Sequence, residues 1–372
     1  MMKDGGNTFF RILRFSISTD EQFDIDLSED DWIEIYTIAQ RQSLLGILFN
    51  GIQKLSKAKP ERKLLLRWYA ISEQIKKRNM MMNSVVADVQ DFFIQNGFRS
   101  CLLKGQGNAL YYPDPSIRTN GDIDIWVKPG DGKKNGAENE CRKVLRFARE
   151  NFSCSKAIYH HVDAGKYKGV EIEIHYRPAF LNNLIHNWRL QKWFEENAGK
   201  QFTHRVLLAN TDRKDGTVCV PTVEFNMVYQ LSHIYHHIIH EGIGLRQLMD
   251  YYYLLKSDER DLQEDMAKTL QFLGLYKIAT AMMWVLKEKL GLEERYLIVP
   301  PNERLGRFLL NEIMQGGNFG QYDSRVKHTA SQLSQNIQLL QRDFRLMWYF
   351  PSECLWEPIF RIYHFLWRVA HK

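Results

Sequence analysis

The residues best suited to chemistry lie in two short acidic stretches. Asp122 and Asp124 are two apart within DIDIWVK (122–128). Glu171, Glu173 and His175 recur at the same spacing within VEIEIHY (170–176). Alternation of polar and apolar residues predicts strands, each with its polar side chains on one face. Ile123, Ile125 and Val127 take the other face of the first strand and mark it as core. A neighbouring strand would bring one glutamate beside the two aspartates. Three converging carboxylates repel and resist desolvation unless a cation sits between them. Mg²⁺ (or Mn²⁺) meets that need, being hard, oxygen-seeking and commonly shared with substrate phosphates. Glu171 and Glu173 share a face, so period two does not choose between them.

Several basic groups flank these acids. Lys104 and Gly105 follow a short predicted strand, 98–104, and precede a helical turn, 106–112, that Pro113 and Pro115 stop. Lys104 would sit at the mouth of the site, meeting a triphosphate or neutralising the acids. Arg118 lies in the loop before Asp122. Its guanidinium suits a phosphate clamp, or a brace for the aspartates. His175 and Arg177 could orient a carboxylate or meet the acceptor. His233, His236, His237 and His240 form a stripe on one predicted helix. No HExxH and no cysteine partner accompanies them, so some face the cleft and others satisfy core hydrogen bonds. Arg246 and Asp250 are spaced as a helical i,i+4 pair.

The elements that must position these groups follow from the rest of the chain. Residues 1–27 read as a loose arm. Ser28 and Asp31 resemble a capping box that opens a helix reaching about Leu55. A long amphipathic helix runs from Glu61 to about Asn96, with Gly97 as its C-cap. The two acidic strands follow, separated by a Gly- and Lys-rich turn at 129–137 and a helix from Glu138. A turn at 165–169 makes a hairpin ending at Tyr176, and Asp215-Gly216 marks a second small hairpin. After Pro221 only helices are expected. The layout is α+β: helices over 1–97, a small α/β core over 98–220, and a large helical region over 221–372.

Composition narrows the class. The chain has 372 residues, 44% hydrophobic and 25% charged, which excludes a disordered or low-complexity chain. No apolar run approaches the roughly 20 residues of a membrane span. No secretory h-region opens the sequence, and five scattered cysteines fit reduced thiols, so a cytoplasmic location is expected. A net charge of +6, dispersed, gives no strong nucleic-acid signal but suits a phosphate-bearing ligand. The aromatic segment 344–372 would close a core, make a homo-oligomer contact or lie on a membrane surface.

The ordered set LLKG, YYPDP, R, GDIDI and VEIEIHYR resembles a poorly characterised bacterial nucleotidyltransferase family within the DNA polymerase β-like superfamily. The stretch LSHIYHHIIHEGIGLRQLMDYYYLL (231–255) is similar to that family's downstream helices, so the resemblance spans about 60–260. It implies a nucleotidyltransferase-like core and transfer of a nucleotidyl group from a nucleoside triphosphate to an unknown hydroxyl-bearing acceptor, a small molecule or a protein. It places Asp122, Asp124 and Glu173 as metal-binding catalytic acids. It also places Lys104, Gly105, Gln106 and Arg118 on the nucleotide, with His175, Arg177, His233, His236 and His237 supporting the acceptor side. Two departures stand out. Lys104-Gly105 replaces the usual glycine-serine pair, and the third acid is Glu rather than Asp. The alternative on the same fold is a catalytically inactive nucleotide-binding or interaction module.

Overall fold

The computed structural model of the protein describes residues 4–19, 23, 25–57, 59–130, 140–208, 216–257, 263–326 and 332–371. The expected turns at 129–137 and at Asp215 lie largely outside the described residues.

Helices α1 (Asp4–Ile17), α2 (Glu29–Arg41), α3 (Leu45–Lys54) and α4 (Arg62–Gln95) come first. The loose arm expected for the N-terminus is corrected by α1, whose Phe9, Phe10, Ile12 and Leu13 are buried. Tertiary burial there overrides the poor helix propensity of Gly5-Gly6. The Ser28–Asp31 capping box forms as expected. The single helix expected from 28 to 55 is instead two, broken at Ser43, whose φ of 57° cannot continue a right-handed helix. Helix α4 ends at Gly97, with φ 78°.

Next come β1 (Phe98–Leu102), α5 (Gln106–Ala109), β2 (Ile123–Pro129), α6 (Glu140–Asn151), β3 (His161–Tyr167) and β4 (Val170–His175). The four strands form one sheet in the order β1-β2-β4-β3. Strands β2 and β4 are parallel, and the other two pairings are antiparallel. Helix α7 (Leu184–Gln201) leads to a two-stranded ribbon, β5 (Arg205–Leu207) and β6 (Thr217–Cys219). The rest is helical, as expected: α8 (Val223–His240), α9 (Leu245–Lys256), α10 (Gln263–Phe272), α11 (Tyr276–Leu290), α12 (Glu303–Gly316), α13 (Gln332–Met347) and α14 (Pro351–Ala370).

The sheet separates two apolar cores. Ile123, Ile125, Val127, Ile172 and Ile174 pack with Val85, Val89 and Phe93 of α4 and with α6. Trp126, on the opposite face of β2, joins the larger core built with α8, α9 and α11. Asp124 has the parity of Trp126, so the acidic face looks toward the helical region. Among the described residues no helix is long and apolar enough to cross a membrane.

Helix α14 buries Phe360 and Trp367 against the α/β core, while Leu355, Ile362 and Leu366 are exposed. Near its start the Glu353 carboxylate accepts the N–H groups of Asn182 (2.5 Å) and Asn183 (3.4 Å). Burial nonetheless pushes its carboxyl up to about 7 from the ordinary 4.5. A raised folded-state pKa gives stability that is complete below 4.5 and is lost as pH rises through 7. Glu353→Gln is therefore expected to flatten stability across pH 4.5–7, removing a change of about 3 kcal/mol over that window. Denaturant titrations at several pH values check this, and an unchanged slope in the variant would assign it to another group.

Candidate active site

The parallel register of β2 and β4 pairs Asp124 directly with Glu173. Asp124 is fully buried, and its Oδ1 accepts from Lys104 Nζ at 2.8 Å and lies 3.1 Å from His175 Nε2. The same His175 nitrogen is 3.3 Å from Glu173 Oε2. Burial alone would suppress the charge on His175, but Asp124 and Glu173 carry it up to about 9. Burial alone would likewise raise Glu173, yet His175, Lys104 and His161 bring it down to about 2. Burial also works against the charge on Lys104, and Asp124, then Asp122 and Glu173, outweigh it and hold its ammonium above the usual range. Glu171 is exposed and reaches toward Lys166 at 4.0 Å on β3.

Asp122 is half-buried and, with Asp124 and Lys104, lines a cleft between the sheet and helices α8 and α9. Glu173 is not among the cleft-lining residues and stands behind Asp124. Gly105 enters the cleft with φ 64°, a conformation that favours glycine, and an added Cβ would meet Asp122 O at 3.4 Å.

The loop before Asp122 is fixed from two sides. Arg118 donates two hydrogen bonds to Asp250 on α9, both 2.7 Å, in a buried bidentate pair. Tyr112 Oη also donates to Asp250, at 2.7 Å. From α4, Asn79 donates to the carbonyls of Ser116 (2.6 Å) and Arg118 (2.9 Å) and accepts from Asn120. Helix α3 presses on the same loop at Gly46, where a Cβ would fall 2.2 Å from Ile117 O.

Helix α8 builds the far wall. His233 lines the cleft, with Nε2 3.3 Å from Lys104 Nζ and 3.1 Å from His237 Nε2. His237 Nδ1 is 3.1 Å from Glu241. Burial, then Lys104, pushes His233 well below the usual histidine range, so it is neutral. His236 turns away from the cleft and packs on Phe180 and His240. His240 faces Asn182.

Other candidates from the sequence are engaged elsewhere. Gln106 donates to Asn83 on α4 and lines a different, smaller pocket. Arg177 donates to Tyr159 O at 2.6 Å and stacks over Tyr159, with Trp367 beyond. Among the cleft residues that were not singled out as site residues from sequence, Arg246, Tyr229 and Phe319 bear most on the chemistry. Arg246, expected to pair with Asp250 along α9, instead donates to Thr119 O at 2.9 Å and has no ion pair among the described residues. Tyr229 Oη is buried without a hydrogen-bond partner among the described residues. Phe319, at the non-glycine φ of 51°, covers Arg246 and His237.

The donor set suits a divalent cation. Among the described residues Asp124 Oδ2 is buried with no hydrogen-bond partner, an orphaned anionic lone pair. Asp124, Glu173 and His175 each present a ligand atom, all within 4.8 Å of one another. Asp122 is outside that tight set.

No curated protein matches the chain. Among solved structures, an antigenic nucleotidyltransferase-like protein from Paracoccidioides brasiliensis is 13% identical, with a TM-score of 0.32 over 63% of this chain and 98% of its own. A likeness that faint carries no argument. The family described as uncharacterised nucleotidyltransferase matches residues 28–291, and the chain, matched over most of its length, belongs to that family.

Proposed function

We propose that the protein transfers a nucleotidyl group from a nucleoside triphosphate to an acceptor hydroxyl, releasing pyrophosphate, with Mg²⁺ held by Asp122, Asp124 and Glu173. The carrying observation is the buried Asp124, paired in register with Glu173 and left with one unpartnered oxygen in a cleft that also holds cationic groups. When bound, such an ion would stabilise charge on the attacking and leaving oxygens. Among the described residues Arg246 is a buried guanidinium with no carboxylate of its own, suited to phosphate oxygens. Arg118, held by Asp250, positions the loop that carries Asp122. Glu173, ionised throughout the physiological range, is too weak a base to keep a proton. Neutral His233, itself held well below the usual histidine range, would relay a proton through His237 toward Glu241 rather than keep it.

The test is pyrophosphate release with each common nucleoside triphosphate and Mg²⁺, using Asp122→Asn as the blank. Nucleotide-dependent release from the wild type alone is expected. Absence of both release and nucleotide binding would remove the reading. One observation favours a second reading, a nucleotide-binding module without turnover: Lys104 already neutralises Asp124 at 2.8 Å. Tight nucleotide binding with no pyrophosphate would select it.

Arg246→Ala is expected to weaken triphosphate binding by about 10- to 100-fold, the worth of roughly 1.5–3 kcal/mol for a hydrogen bond to a charged group. Calorimetric titration measures it. Unchanged affinity would move the phosphates away from α9.

A further inference from the structure

We propose that a second, imidazole-held site binds a transition-series divalent cation such as Zn²⁺ through His160, His161 and His175, beside the carboxylate of Glu173. It shares Glu173 as a neighbour with the catalytic reading, and His175 with the donor set beside Asp124. The three rings converge for a topological reason. His161 on β3 is the direct cross-strand partner of His175 on β4, and His160 immediately precedes it. Each ring offers one nitrogen, and the three lie within 4.8 Å of one another. His160 Nε2 is 3.0 Å from His161 Nδ1, and His161 Nδ1 is 3.8 Å from Glu173 Oε2. Zn–N bonds of about 2.0–2.1 Å at tetrahedral angles put neighbouring ligand atoms roughly 3.3 Å apart, so these spacings suit one ion.

Two further observations point to a ligand. Both His160 and His175 are more than nine-tenths buried, and His175 Nδ1 has no hydrogen-bond partner among the described residues, which a missing ion would explain. Behind the cluster, His161 Nε2 lies 3.2 Å from Asp163 Oδ1, and Ser155 Oγ donates to the other Asp163 oxygen at 2.9 Å. A carboxylate behind a ligating histidine fixes its tautomer and directs the opposite nitrogen at the metal. Phe180 and His236 cover His160 from the α8 side, giving the site a largely apolar wall. Imidazole donors select Zn²⁺ and its transition-series neighbours, whereas Mg²⁺ prefers oxygen and water. The four histidines of α8 form no such set among the described residues.

The test uses the full chain, stripped by chelation and then equilibrated with Zn²⁺ or Co²⁺ in excess Mg²⁺ without nucleotide. Metal content after desalting and the visible absorption of the Co²⁺ form are read. About one retained equivalent is expected, with a spectrum of nitrogen-rich, low-coordinate Co²⁺. His160→Gln and His161→Gln should each weaken retention at least 100-fold, and Asp163→Asn by about 10- to 100-fold. Asp122→Asn should keep the ion while losing pyrophosphate release, which separates this site from the catalytic reading. The wild-type titration needs no variant to fold. No retention by the wild type, or equal retention when both His160 and His161 are replaced, overturns the proposal.

Discussion

Asp124→Asn is expected to abolish nucleotidyl transfer and to cost about 3–5 kcal/mol of stability, the range for breaking a buried ion pair on one side. The substitution keeps the shape and removes the charge. Asp124 is fully buried, and its Oδ1 takes both Lys104 and His175. Without the carboxylate the Lys104 ammonium is left facing Glu173 and the half-buried Asp122, both farther off. His175 can shed its proton, so most of the cost falls on Lys104. Loss of a direct cation ligand should lower turnover by at least 10³-fold, about 4 kcal/mol of transition-state stabilisation. Replacing Lys104 with Met in the same chain should recover much of the stability and none of the activity. Equilibrium unfolding and pyrophosphate release give the two readouts. A variant that is as stable as the wild type would show that Lys104 does not depend on Asp124.

The second large effect lies outside the acids. Asp250→Ala should destabilise the protein by about 3–5 kcal/mol, since the Arg118 guanidinium is left buried and uncompensated. Tyr112 loses its acceptor as well. The loop that carries Asp122 keeps its bonds to Asn79, Arg246 and Arg78 and the α3 contact but loses the Arg118 anchor, so nucleotide affinity should fall too. Replacing both partners, Arg118→Met with Asp250→Leu, should restore most of the stability, because apolar pairs often replace buried ion pairs without loss. If the double variant is no more stable than Asp250→Ala alone, Asp250 acts through Tyr112 and not through Arg118.

These residues divide sharply in how far the sequence exposes them. Asp122, Asp124, Glu173 and His175 sit on strands whose period of two is local, so their shared face is legible before any tertiary information. The Ser28 cap and the Gly97 stop are local in the same way. Residue spacing could not choose Glu173 over Glu171; the parallel register against β2 pairs Glu173 with Asp124 and leaves Glu171 exposed. Arg118 and Asp250 are 132 positions apart, and nothing in either segment announces the other. Arg246 and Asp250 carried a helical pairing signal, but the loop from the core captured Asp250 instead. His160 and His161 carry no signal of their own in the sequence because their partner, His175, meets them only across the hairpin. Phe319 comes from a turn beyond the family-matched residues and reaches the cleft by packing alone. The break at Ser43 was hidden because no glycine or proline marks it.

The clasp between α14 and the segments flanking the β3–β4 hairpin also orders events during synthesis. Asn182 leaves the ribosome 171 residues before Glu353, the group that takes its amide. At about 5–20 residues per second, that wait is on the order of 10–30 seconds. Throughout it the segments flanking the hairpin that carries Glu173 and His175 present Tyr159 and Phe180 with no Phe360 or Trp367 to cover them. The nascent chain therefore has its acidic strands well before it has their cover, and a chaperone that shields aromatic surface would engage it in that interval. Chains stopped between α12 and α14 should carry every acidic ligand yet leave the hairpin sticky, which makes the final helix a checkpoint on the yield of competent protein.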